Sequence, residues 1–160
     1  MSAQVHVLYP GAARALENAG QDPALLRSEV GYTLSIIRDL QYQHLGDMTP
    51  ATVRDIAWIV ARRFDLGIPF DLPVGGEVRS APFDRLLRRL HIASLISPTG
   101  AGGGFVLTRA GETHLETAFA DRIEEPRWRA AIENTLEELY GFDPHEIVAD
   151  LLDSGRAWRP

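Results

Sequence analysis

Residues 80–116 read SAPFDRLLRRLHIASLISPTGAGGGFVLTRAGETHLE, and their pattern decides the architecture. Ser80 is a good helix N-cap, because its hydroxyl can accept a bond from an unpaired amide of the first turn. Pro82 suits that turn, where its missing N–H removes nothing. Phe83, Leu86, Leu87 and Leu90 recur at i, i+3, i+4 and i+7, the spacing of one buried helical stripe. At about 100° per residue, Arg85, Arg88 and Arg89 gather on the opposite side, with Asp84 at the edge of their arc. The spacing predicts a helix that is apolar inward and guanidinium-faced outward.

Working outward, Ile92–Ser97 and Phe105–Thr108 are short apolar runs around a glycine-rich turn. Glycine supplies the positive φ that tight turns need, so the stretch predicts a β-hairpin with Gly100, Gly102, Gly103 and Gly104 at its tip. Helical spacing returns from Arg109 to Phe119 through Leu115 and Ala118. The glycine run is not a phosphate-binding loop. No Lys-Ser/Thr follows it, and Phe105 stands where the last glycine of G-x-G-x-x-G belongs.

The helix FDRLLRRLHIASL (83–95), the hairpin and Leu107-Thr-Arg-Ala-Gly111 together resemble the recognition helix, wing and L-T-x-x-G exit of MarR- and PadR-type winged-helix regulators. The resemblance is confined to about residues 80–116. It implies a winged helix-turn-helix core whose helix enters the DNA major groove and whose wing reaches backbone or minor groove. Arg85, Arg88 and Arg89 would then contact groove or phosphate, Arg79 and Arg109 would steady the backbone, and the glycines would form the wing tip.

Charge is sorted along the chain. All 16 basic residues are arginine, and the net charge is −6. Residues 1–78 carry −3, residues 79–110 carry +4 and residues 111–160 carry −7. Phosphate contact dominates nucleic-acid affinity, so the +4 segment can dock on DNA only if the acidic parts face away. With no lysine there is no Schiff-base, P-loop or general-base lysine. With no cysteine there is no disulfide, thiolate catalysis or cysteine-based zinc site. No apolar run approaches the roughly 20 residues needed to span a bilayer, and the N-terminus lacks signal-peptide character. A cytoplasmic protein is expected.

The remaining residues predict helices around this core, in a mainly α single domain over 1–160 with one small hairpin. Asp22-Pro23 opens a helix predicted over 22–46, and Thr49-Pro50 opens another over 49–64. Residues 65–79, with two prolines and three glycines, separate it from Ser80 as an extended arm or short strand. Trp128, Ile132, Leu136 and Leu139 form a further stripe. After Gly141, Asp143-Pro-His-Glu146 has capping-box spacing, which gives C-terminal helices over 126–153. In the resembled families such helices build a dimer that matches two-fold operators. A homodimer is therefore expected, with intramolecular packing as the alternative use of those stripes and Trp158 in the tail as a further docking residue.

His6, His44, His91, His114 and His145 are scattered without metal-ligand spacing. No G-x-S-x-G elbow or paired acid–base dyad stands out. No catalytic residue, metal or cofactor is expected. Two functions remain open. One is a dimeric, sequence-specific regulator of transcription on double-stranded DNA. The other is a winged-helix interaction module, an adaptor in a chromosome-maintenance, defence or phage-encoded assembly, whose arginine face meets an acidic protein partner. The second draws on the net acidity, the arginine-free wing tip and the long 65–79 spacer.

Overall fold

A computed structural model describes residues 10–43, 48–64, 67–71, 75–99, 103–120 and 125–154. Among these, helix α1 (Pro10–Gln21) leads through a 3₁₀ turn (Pro23–Leu26) into α2 (Ser28–Gln43) and α3 (Pro50–Ala61). Then come α4 (Ala81–Ile92), strands β1 (Ile96–Thr99) and β2 (Gly104–Leu107), α5 (Arg109–Ala118), α6 (Glu125–Leu139) and α7 (Pro144–Ser154). The chain is mainly α with one small antiparallel hairpin, in register Ile96 to Leu107 and Thr99 to Gly104. No described helix is long and apolar enough to cross a membrane.

The core forms around α2 and α3. Every residue from Val30 to Ile37 is buried, because α2 packs on α3, α5, α6 and the hairpin at once. A helix buried on every side is a central helix, here even at the polar Thr33 and Ser35. Gly31 lets α2 approach Phe119, since a Cβ there would lie 2.8 Å from the ring. Tyr32 meets Trp128 edge-on at 5.0 Å and Phe64 at 6.0 Å, which locks α6 against α2 and the end of α3. Thr49 caps α3 by accepting from the Thr52 amide at 3.2 Å, as its sequence predicts.

Two boundaries differ from expectation. The helix predicted over 22–46 is broken: Asp22 accepts from the Ala24 amide at 2.9 Å, but the turn it opens is 3₁₀ and ends at Arg27 in extended conformation. The reason is long-range. The Leu25 carbonyl, which a continuous helix would give to residue 29, lies 2.8 Å from Nε2 of buried His114 on α5. Residues 44–47 lie outside the described part. The apolar run from Ile92 is also not a strand throughout. Ile92 ends α4, and β1 begins only at Ile96.

The C-terminal pair falls where expected, divided at Gly141 with φ +84°. Asp143 caps α7 by accepting from the His145 amide at 2.9 Å. Its use is internal: Trp128, Ile132, Leu136, Leu139, Ile147, Val148 and Leu151 are all buried within the chain. Their stripes serve the core, leaving Tyr140 and Phe142 exposed at the turn. Trp158 lies outside the described residues.

Candidate nucleic-acid interface

Helix α4 is set in place by the segment before it. Ser80 is fully buried; its hydroxyl accepts from the Phe83 amide at 3.1 Å and donates to the Pro69 carbonyl at 2.5 Å. The Asp71 amide donates to the Arg79 carbonyl at 2.9 Å, and Gly75 and Gly76, both at positive φ, make the turn between them. The long spacer is thus a folded-back loop that delivers the N-cap, with residues 65, 66 and 72–74 outside the described part. Phe83, Leu87 and Leu90 are buried, each worth about 1.5–3 kcal/mol of transfer free energy. Arg54 of α3 binds Asp84 at 3.0 Å, fixing the rotation of α4 on its neighbour.

The far end of α4 closes with paired bonds. The Leu95 amide donates to the Leu90 carbonyl at 2.9 Å and the Ser94 amide to that of His91 at 3.0 Å. This is a Schellman cap, with Ser94 at φ +62° where glycine is usual. The chain then turns straight into β1. Thr108 holds the exit: its amide donates to the Leu95 carbonyl, its hydroxyl donates to the Ser94 carbonyl at 2.7 Å, and that hydroxyl accepts from the Gly111 amide at 3.0 Å. A Cβ on Gly111 would sit 2.1 Å from the Leu95 carbonyl oxygen. The L-T-x-x-G pattern therefore has a physical cause, a helix cap and a contact of backbone on backbone. The Phe105 amide donates to the Met48 carbonyl at 2.9 Å, which ties β2 to the entrance of α3.

On this frame Arg85, Arg88 and Arg89 are exposed along one side of α4, as the spacing predicts. Arg88, His91 and Asp84 border a cleft of about 410 Å³ between α4 and the hairpin, floored by Leu87, Ile96 and Phe105. Arg85 and Arg89 turn to the other flank and line a second cleft with Arg27. Arg109 is exposed in the first turn of α5. Arg79 is placed differently. Its guanidinium binds Glu77 at 3.1 Å, beside a third cleft of about 410 Å³ that Asp55, Asp71 and Asp84 also line. Of the wing glycines, Gly103 has φ +70° and Gly104 belongs to β2, whereas Gly100 and Gly102 lie outside the described residues.

Sequence spacing alone missed two residues. Ile92 is 76% exposed, and at about 100° per residue it falls in the middle of the arginine arc. Its apolar neighbours in the sequence disguised it as hairpin. Arg27 is far from Arg85 in sequence and within a stretch of net negative charge, so only folding brings it to the second cleft. The third cleft holds a buried acid as well. Asp55 of α3 is 6% exposed, and its Oδ2 lies 3.4 Å from Nδ1 of His145. Burial pushes its carboxyl above the ordinary 3.8, while the His145 imidazole pulls against that shift. Among the described residues no group of three or more His, Asp or Glu side chains is placed to hold a metal ion. Compared with known proteins, the chain matches no family model, no curated protein and no solved structure.

Proposed function

We propose that this protein binds double-stranded DNA as a winged-helix regulator of transcription, with α4 in the major groove and the hairpin beside it as a short wing. The observation that carries this function is the outer side of α4. Arg85, Arg88 and Arg89 stand exposed there, with no ion pair or hydrogen bond to another described residue. The order of α2, the Met48 contact, α3, α4 and hairpin suits a winged helix. Guanidiniums on such a helix pair with guanine O6/N7 or with phosphates, and Ile92 offers an apolar contact for a thymine methyl. Arg109 would steady the backbone near the wing.

A dimer on a two-fold site would have to form through exposed surface, such as the α6–α7 turn with Tyr140 and Phe142. Those two exposed aromatics, with the net charge of −6, favour the second function, an interaction module whose arginine face binds an acidic protein. A DNA regulator of this kind would work in the cytoplasm.

Fluorescence anisotropy of a labelled random duplex, titrated from low to physiological salt, separates the two. Micromolar and steeply salt-dependent binding that is lost in Arg85→Ala/Arg89→Ala is the expected result. No binding even at low salt would sink the DNA assignment and favour the interaction module.

A further inference from the structure

The second cleft beside α4 concentrates positive charge from two distant parts of the chain. It encloses about 260 Å³ and brings Arg27, from the extended link before α2, together with Arg85 and Arg89. Ile68, Pro69, Pro82 and Leu86 add apolar surface between them. Among the described residues lining it the one carboxylate is Glu29, which binds Arg27 Nε at 2.9 Å and accepts from its Nη2 at 3.4 Å. Arg85 and Arg89 have no such partner among the described residues, so two positive charges are left over in an acidic protein.

We propose that this cleft is a phosphate-binding site, with Arg27 as its anchor from outside the α4–hairpin region. Three planar guanidiniums present many N–H donors in forks that match the oxygens of a tetrahedral anion. The volume lies below the roughly 300 Å³ at which pockets for drug-sized ligands begin. It admits a phosphate with little more than its sugar. Glu29 takes Nε and Nη2 of Arg27, and no described residue takes its Nη1. The phosphate comes either from a DNA backbone, which rests on the function proposed above, or from a small phosphate ester, which does not.

The test runs on the full chain in two arms, with Arg27→Gln as the probe variant and Arg14→Gln, an exposed arginine on α1, as the charge control. Arg27 is 68% exposed, so its replacement leaves the fold intact. In the first arm, duplex affinity is measured across salt. If the cleft takes a backbone phosphate, Arg27→Gln weakens binding by about 3- to 10-fold and flattens the slope of log K against log salt by about 0.9, while Arg14→Gln does neither. In the second arm, melting is followed with inorganic phosphate against chloride at matched ionic strength. If the cleft takes free phosphate, the melting temperature of the native chain rises and that of Arg27→Gln does not, whether or not any duplex binds. Unaltered duplex binding by Arg27→Gln with no phosphate-induced shift in the native chain overturns the site and leaves the DNA function standing. Failure in both arms, with no duplex bound by any variant, overturns both.

Discussion

The first turns of α4 border two clefts of opposite sign. On one flank, Arg27, Arg85 and Arg89 face a single carboxylate among the described residues, Glu29. On the other, Asp55, Asp71, Glu77 and Asp84 face Arg54 and Arg79. The arginines of the second flank are already engaged, Arg54 by Asp84 at 3.0 Å and Arg79 by Glu77 at 3.1 Å. Those of α4 on the first flank are not. Charge counted along a chain therefore differs from charge available in space. Arg79 belongs to the most basic segment of the sequence, yet folding places it among carboxylates. Arg27 belongs to a net acidic segment, yet folding places it among guanidiniums. An acidic protein can keep a positive surface if its helices sort charge in this way.

The largest expected effect tests that sorting directly. Arg85→Glu introduces a carboxylate beside the guanidiniums of Arg27 and Arg89 and should lower duplex affinity by about 10- to 100-fold at low salt, the loss of a phosphate contact compounded by repulsion. Arg79→Glu adds a charge to a flank already acidic and should lower it by less than about 3-fold. Anisotropy titrations of the two variants side by side decide the matter. Equal losses would mean that the two flanks do not differ toward DNA, and the comparison fails.

Asp55 gives the next effect, on stability. Its carboxyl is raised above 3.8 first by burial and then by Asp143, against the lowering influence of His145 and Arg54. A raised acid favours the folded state while it is protonated. That contribution is complete below the unfolded value and is lost as pH rises through the folded one. At neutral pH the ionised, buried Asp55 should therefore cost stability. Asp55→Asn keeps the shape and removes the titration, so it should melt above the native chain at neutral pH. The gap should close as pH falls below 3.8. A native chain that melts higher at neutral pH would instead show that the His145 contact outweighs burial.

Much of this frame was legible in the sequence because it is local. Ser80, Thr49 and Asp143 cap the helices they were expected to cap, since an N-cap needs only its own side chain and an amide two or three residues on. The outward arginines of α4 follow from periodicity alone. What failed is what depends on contacts across the chain. The break at Arg27 comes from His114 taking the Leu25 carbonyl, an interaction over 89 residues that no local pattern encodes. The pairing of Arg79 with Glu77 was open to inspection, but whether neighbouring charges meet or diverge is decided by the loop that carries them. Helix α1, PGAARALENAGQ, offers few large apolar residues and so no clear helical stripe in the sequence.

The smallest effect concerns how rigidly α4 presents its two flanks. Ser94 holds φ +62° so that the Schellman cap can close and the chain can turn into β1. A left-handed conformation costs a residue with a Cβ about 1–2 kcal/mol, whereas glycine bears only an entropic cost of about 0.5–1 kcal/mol. Ser94→Gly should therefore stabilise the protein by about 0.5 kcal/mol, a rise of about 1–2 °C in melting temperature for a chain of this length. The Ser94 carbonyl bond to Thr108 survives the change, so the hairpin keeps its seat. Calorimetry checks the rise, and duplex affinity should stay the same. A fall in both would mean that the Ser94 side chain itself helps to aim α4. The sign of each cleft would then depend on the cap at the helix's far end as well as on the residues that line it.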